Sequence, residues 1–227
     1  IERNSDSDHD DALQYVPSMA DIDLNSNIVS TDAFYIDIYE MHDNIYDNDD
    51  ENGLDPELSS PKSEISIESA RDYCNRRSSS YLQEGFSHVY SGSNFNSDIL
   101  GFRLPTESEW YVAAAILYNW EDNITTSFEY TTQVGDGVIN CQYGNIMNCG
   151  GEAITVGSYS GSSSCATCQE STSPNGLYDC NGNLKEWVEK SSQYNYDVLN
   201  NVHVVMGGDY MSAEGSVTNS TLEYSLS

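Results

Sequence analysis

Apolar residues recur along this chain at two spacings. Between residues 33 and 41, Phe34, Ile36 and Ile38 alternate with Tyr35, Asp37 and Tyr39, the period of a strand with one buried face. From Ser66 the period changes. Ile67, Ala70, Tyr73 and Cys74 share one helical face, and Arg71, Arg76 and Arg77 fall toward the helix end, where cations suit the helix dipole. A stronger helix signal follows Pro105. Thr106-Glu107-Ser108-Glu109 forms a capping box, and Trp110, Ala113, Ala114, Leu117 and Tyr118 supply an apolar stripe. The spacing predicts two principal helices over 66–78 and 107–118, with Trp110 and Trp187 buried.

Past residue 120 the helical period stops. Gly, Ser, Asn and Cys dominate, and short strands are expected near 128–132, 153–158 and 202–207. Residues 1–29 read as an acidic arm or linker, 42–63 as an acidic loop with Gly53, Pro56 and Pro61, and 83–100 as loop. No internal repeat occurs. Two helices followed by loops and short strands predict a single α+β domain over 30–227 with much irregular structure.

Composition narrows the partners. Of 227 residues, 8 are Lys or Arg and 37 are Asp or Glu, a formal charge of −29. Phosphate recognition needs clustered cations, so nucleic acid is excluded, as is an anionic membrane surface. Calcium, cationic ligands or plain solubility fit better. The 17 Tyr, 5 Phe and 3 Trp supply buriable area that the 38% hydrophobic content alone would not suggest. No apolar run approaches the roughly 18 residues of a membrane span. The chain starts at Ile1 with no visible signal peptide, as expected of a processed chain or a piece of a longer one. Sequons at Asn123 and Asn219 and an even six cysteines point to an extracellular or surface-exposed setting.

Several motifs have two readings. Cys165-Ala-Thr-Cys168 has metal or redox spacing, and Cys141 and Cys149 lie nearby. The surroundings are Ser-rich and acidic with no βαβ pattern, which favours disulfides among these four, in an order the sequence leaves open. Cys74 and Cys180 are either buried free thiols or partners of each other. Asn48 to Gly53 resembles the start of an EF-hand loop, but Asn48 stands where Asp is needed and Ser59 fills the twelfth position. A solvated loop is expected there, and a solvated arm at Asp6, Asp8 and Asp10. His9, His42, His88 and His203 are too scattered for a shared site, and no nucleophile elbow or phosphate loop occurs.

Four blocks in order resemble one family. They are Phe34-Tyr35-Ile36-Asp37-Ile38-Tyr39-Glu40; the segment from Ile65 to Asn75; Gly101-Phe102-Arg103-Leu104-Pro105-Thr106-Glu107-Ser108-Glu109-Trp110; and Asn175-Gly176-Leu177-Tyr178-Asp179 with Gly182-Asn183-Leu184-Lys185-Glu186-Trp187. A weaker fifth runs from Val204 to Tyr210. Their order resembles the formylglycine-generating-enzyme (sulfatase-modifying factor) domain, a variant of the C-type lectin fold. The resemblance implies a calcium site at Asp179, Gly182, Leu184 and Glu186, and a second, less complete one beginning at Asn145-Ile146. It also implies structural roles for Arg103 and Glu109. The family's oxidases use a copper-binding cysteine pair after the closing block. Here the last cysteine is Cys180, Met206, Asp209 and Tyr210 replace the usual Arg, Ser and Trp, and the terminal Gly-Phe-Arg strand is missing. A non-catalytic member without copper is therefore expected.

In this fold the closing region builds the recognition face, and some relatives are hypervariable binding proteins of diversity-generating retroelements. Tyr194, Tyr196, Asp209, Tyr210 and Tyr224 lie there among Ser and Asn, the composition of adaptable binding surfaces. The expected role is binding or assembly on a surface, filament or virion. The partner would be a protein, a glycan or further copies of the chain. One alternative is a copper-dependent oxidase whose active cysteines lie beyond Ser227. Another is a purely structural, self-assembling subunit.

Overall fold

The computed structural model describes residues 13–24, 27–43, 46, 60–119, 124–127, 140–159, 172–173, 175–190, 202–213 and 221–224. Within these, only the backbone is described for 21–24, 27–29, 115–119, 124–127, 202 and 221–224. Strand β1 (Leu13–Val16) pairs antiparallel with β4 (Phe34–Asp37), placing Tyr15 opposite Tyr35. Between them β2 (Met19–Leu24) and β3 (Asn27–Thr31) form a hairpin. Part of the expected arm is thus folded. Val16 is fully buried and Met19 nearly so, because the apolar residues after Leu13 find a partner strand about 20 residues later.

Helix α1 (Ile67–Ser79) is capped by Ser66, whose hydroxyl accepts from the Ser69 N–H at 3.2 Å. It buries Ile67, Ala70, Tyr73 and Cys74, as the spacing predicts, and also Arg71 and Ser78. A 3₁₀ turn (Leu82–Glu84) and the two-residue ladder of β5 (Tyr90–Ser91) with β6 (Asn94–Phe95) lie in the segment expected as loop. Helix α2 (Glu107–Ala115) begins with the predicted reciprocal cap. The Glu109 N–H donates to Thr106 Oγ1 at 3.2 Å, and the Thr106 N–H to Glu109 Oε2 at 2.8 Å.

This helix ends three residues earlier than its apolar stripe predicts. Leu117 and Tyr118 belong instead to β7 (Ile116–Asn119), which pairs with β8 (Ile124–Ser127). Two partners distant in sequence end it. Asn175 Nδ2 donates to the carbonyls of Val112 and Ala113 at 3.1 and 2.9 Å, and Ser173 Oγ donates to Ala113 at 3.1 Å.

The largest sheet is three-stranded and antiparallel, in the order β11-β10-β9, from β9 (Glu186–Val188), β10 (Val202–Met206) and β11 (Thr221–Tyr224). The strand expected at 202–207 is β10. The one expected at 153–158 is absent: Ser158 donates from its N–H and its hydroxyl to the Thr155 carbonyl, at 3.3 and 2.6 Å, closing a turn. The segment 128–132 lies outside the described residues.

The main core gathers Val16, Met19, Trp110, Val112, Val188, Val204 and Met206 between β1, α2 and the three-stranded sheet. A satellite of Cys74, Val89 and Tyr90 lies under α1. Trp110 is 1% exposed. Trp187, expected to be buried, is half-buried: its indole N–H donates to the Ile65 carbonyl at 3.1 Å and its ring meets His203 edge-on.

Candidate functional site

The second signature block folds as a tight loop that needs unusual backbone. Asp179, Gly182 and Asn183 have φ of 59°, 86° and 60°, all left-handed. At Gly182 nothing but glycine fits, since a Cβ would overlap the Asn145 carbonyl oxygen. That approach lets the Asn183 N–H reach the same carbonyl at 2.8 Å, while the Gly182 N–H reaches the Gly207 carbonyl at 2.8 Å.

Asn183 is the hub. Its Nδ2 donates to Glu40 Oε2 at 2.6 Å and to the Ile154 carbonyl at 3.2 Å. Its Oδ1 accepts from Asn145 Nδ2 at 3.0 Å and from the Ile154 N–H at 2.9 Å. Segments far apart in sequence therefore converge on one buried amide. The structure brings Asn145 to the signature loop, so the two calcium sites expected separately share one neighbourhood.

Three carboxylates gather here, with Glu40 and Asp179 buried and Glu186 at least half-buried. Glu40 Oε1 accepts from the Leu184 N–H at 3.0 Å, and Asp179 Oδ2 accepts from the Gly157 N–H at 2.6 Å. Burial pushes Asp179 up to about 6, opposed in part by the Gly157 hydrogen bond. Burial pushes Glu186 up to about 7, against a hydrogen bond from Trp110. Glu40 is raised well above the usual carboxylate range by burial and then by the negative charges of Asp179 and Glu186. Asp179 Oδ1 is buried with no hydrogen-bond partner. Neither Glu40 nor Asn183 is among the site residues expected from the sequence, although Asn183 lies within the second signature block. The only hint for Glu40 was its place at the end of the opening strand block.

An orphaned carboxylate oxygen beside a second carboxylate, with backbone carbonyls at hand, is hard-ligand chemistry that fits calcium. Among the described residues no three Asp, Glu, His or Cys side chains converge as a metal cluster. An ion here would draw on at most two such side chains, with amide and carbonyl oxygens completing its shell.

Above this floor opens a cleft of about 1000 Å³ whose lining includes Glu40, Cys180, Glu186, Trp187, Asp209 and Tyr210. Tyr39 and Tyr178 stack along it with centroids 5.1 Å apart. Of the expected binding residues, Asp209 and Tyr210 thus sit at the cleft. Tyr224 lies in β11, while Tyr194 and Tyr196 lie outside the described residues.

The closing loop carrying Asp209 is pinned. Asp209 Oδ1 accepts from the Met211 N–H at 2.9 Å and from Ser212 Oγ at 2.8 Å, and Lys185 lies 3.5 Å from its carboxylate. The Tyr210 N–H donates to the Asn183 carbonyl at 3.1 Å. Arg103 and Glu109, expected to be structural, bond each other through both terminal guanidinium nitrogens at 2.6 Å.

Cys141 and Cys149 form a disulfide across an eight-residue separation. Cys74 and Cys180 are buried free thiols, not partners of each other. Burial pushes Cys74 up to about 12 and raises Cys180 as well, so both stay protonated. Cys165, Cys168, Asn123, Asn219, the 48–59 stretch and Asp6 to Asp10 lie outside the described residues.

Comparison with known proteins agrees with this architecture. The crystal structure of CarF superposes with a TM-score of 0.66 at 18% identity, covering 93% of this chain and 92% of that one. Treponema denticola variable protein 1 superposes at 0.60 with 18% identity, covering 93% of this chain and 89% of that one. Both likenesses concern the fold alone. A search of curated protein sequences gave no significant match. The profile of the sulfatase-modifying factor enzyme 1-like domain matches residues 42–224, so the chain belongs to that family.

Proposed function

We propose that the chain is a non-catalytic binding domain of this family, working outside the cell, whose cleft and closing loop receive a protein or glycan partner. The observation that carries this reading is that Asp209 and Tyr210, on a pinned loop, line a cleft that aromatic side chains also line. Pre-organised loops lower the entropy lost on binding. The thiols argue in the same direction. Copper oxidase chemistry needs paired thiolates, and Cys74 and Cys180 are buried, protonated and on separate segments.

The extracellular setting is supported by the Cys141–Cys149 disulfide. No helix among the described residues is long and apolar enough to cross a membrane. We further assign calcium to the loop holding Asp179, Gly182, Leu184 and Glu186, on the strength of the orphaned Asp179 oxygen, with the second, less complete site at Asn145 alongside it.

The test has three parts. Copper-treated protein incubated with a cysteine-bearing peptide should yield no aldehyde, and aldehyde formation would revive the oxidase. Binding on glycan and protein panels should be lost in Tyr210→Ser at unchanged melting temperature. Quantitative thiol labelling of Cys141 and Cys149 in the native protein would remove the extracellular part.

A further inference from the structure

Among the described residues few large apolar side chains are exposed, and two of them sit on neighbouring loops that come from distant parts of the sequence. Met147 is 42% exposed and Met211 67% exposed. The Met147 N–H donates to the Ser212 carbonyl at 3.0 Å, which fastens the two loops side by side. Both loops are stiff. The first is closed by the Cys141–Cys149 disulfide, and Ile146 is buried against Tyr143 and Cys149. The second is held by the Asp209 and Ser212 hydrogen bonds. Met is adaptable and polarizable and makes favourable contacts with aromatic rings. Two of them on loops joined by a backbone hydrogen bond offer more apolar surface at one place than a single exposed residue would.

The two loops contribute no positive charge of their own, since no Lys or Arg occurs between Arg103 and Lys185, or after Lys190. Lys185, beside the closing loop, is paired with Asp209. Elsewhere Arg71, Arg77 and Arg103 are likewise paired with Glu189, Asp37 and Glu109. A second copy, carrying the same formal −29 over the whole chain, would be repelled, whereas a basic partner would be attracted.

We infer that Met147 and Met211 form the anchor of a docking surface for a protein partner that presents an aromatic or aliphatic side chain within a basic rim. This rests on the binding reading above and names the chemistry of its partner. Basic residues at the partner's rim would speed association and make it weaken with salt, while the apolar contact would set the residence time.

The experiment uses the full chain with its five methionine methyl groups labelled with carbon-13. Met19 and Met206 are buried and Met41 half-buried, so they serve as internal controls. Three synthetic probes are titrated: a short peptide with Trp and Leu flanked by lysines, the same peptide flanked by glutamates, and a lysine peptide with Ser in place of Trp and Leu. The expected result is that only the first probe moves the Met147 and Met211 signals together, that added salt weakens the effect, and that Met147→Ser or Met211→Ser weakens binding roughly tenfold. Equal shifts from the glutamate probe, or from the lysine–serine probe, would overturn the inference. So would movement of Trp187 and Tyr210 ring signals with both methionines still, in which case the cleft reading survives alone. Stillness at both places would count against both.

Discussion

Arg71 and Glu189, 118 residues apart in the chain, are joined by two parallel hydrogen bonds of 2.7 Å, with both side chains 8% exposed. The pair ties α1 to the end of β9. The backbone of Glu189 also accepts from the Glu107 N–H at 3.0 Å and donates to the Pro105 carbonyl at 2.8 Å. One residue thus clamps both helices to the sheet. Removing one partner leaves the other's charge buried, so Glu189→Ala should cost about 3–5 kcal/mol. Arg71→Met with Glu189→Leu should recover much of that loss. Denaturant melts of the two variants check it. A double variant no more stable than the single one would show that the apolar pair does not pack there.

Gly182 is the position least open to change. Its φ of +86° and the Asn145 backbone oxygen lying where a Cβ would stand mean that Ala must displace the Asn145 segment. Gly182→Ala should cost about 3 kcal/mol or more. Gly85, with φ of +90° and open space around it, should lose only about 1 kcal/mol as Gly85→Ala. Thermal melts of both variants measure the contrast, and equal losses would refute the close approach.

His42 is 2% exposed, and neither ring nitrogen has a hydrogen-bond partner. Burial lowers its pKa from the ordinary 6.5, against the opposite pull of Asp43 and Asp37. The folded chain therefore holds the ring neutral while the unfolded chain takes up a proton. Stability from this group is present above about 6.5 and is lost as pH falls from there through the depressed folded value. His42→Leu should flatten this acid limb relative to wild type. It should also raise stability at neutral pH by about 1–3 kcal/mol, because two unpaired buried nitrogens are gone. Melting temperatures of both proteins from about pH 5 to about pH 8, the range that brackets an ordinary histidine titration, decide it. Parallel profiles would rule out His42 as the source.

Calcium should stabilise the native chain by mass action, about 2.7 kcal/mol at a roughly hundredfold excess over the dissociation constant. Chelation should lower the melting temperature and loosen residues 175–188 first, read by hydrogen exchange. Asp179→Ala or Glu186→Ala should abolish most of that response. A wild-type melt unaffected by chelator would leave Asp179 and Glu186 as buried hydrogen-bonding groups only.

By itself the sequence determined the local elements and the family. Caps and spacing act within a few residues, so Ser66, the Thr106–Glu109 box and the Ile67–Cys74 face were legible. So were the alternation of β4 and the family resemblance, and the family match over 42–224 bears out the latter. Only the tertiary structure decided what long-range partners impose. Asn175 and Ser173 reach the α2 carbonyls from some 60 residues away, and that helix gives way to β7 at Ile116. Val16 and Met19 enter the core because β4 offers β1 a ladder. Glu40 becomes part of the site because Asn183, 143 residues on, donates to it. Contacts of that separation follow from packing and from the need to satisfy buried polar groups, neither of which leaves a periodic mark in the sequence.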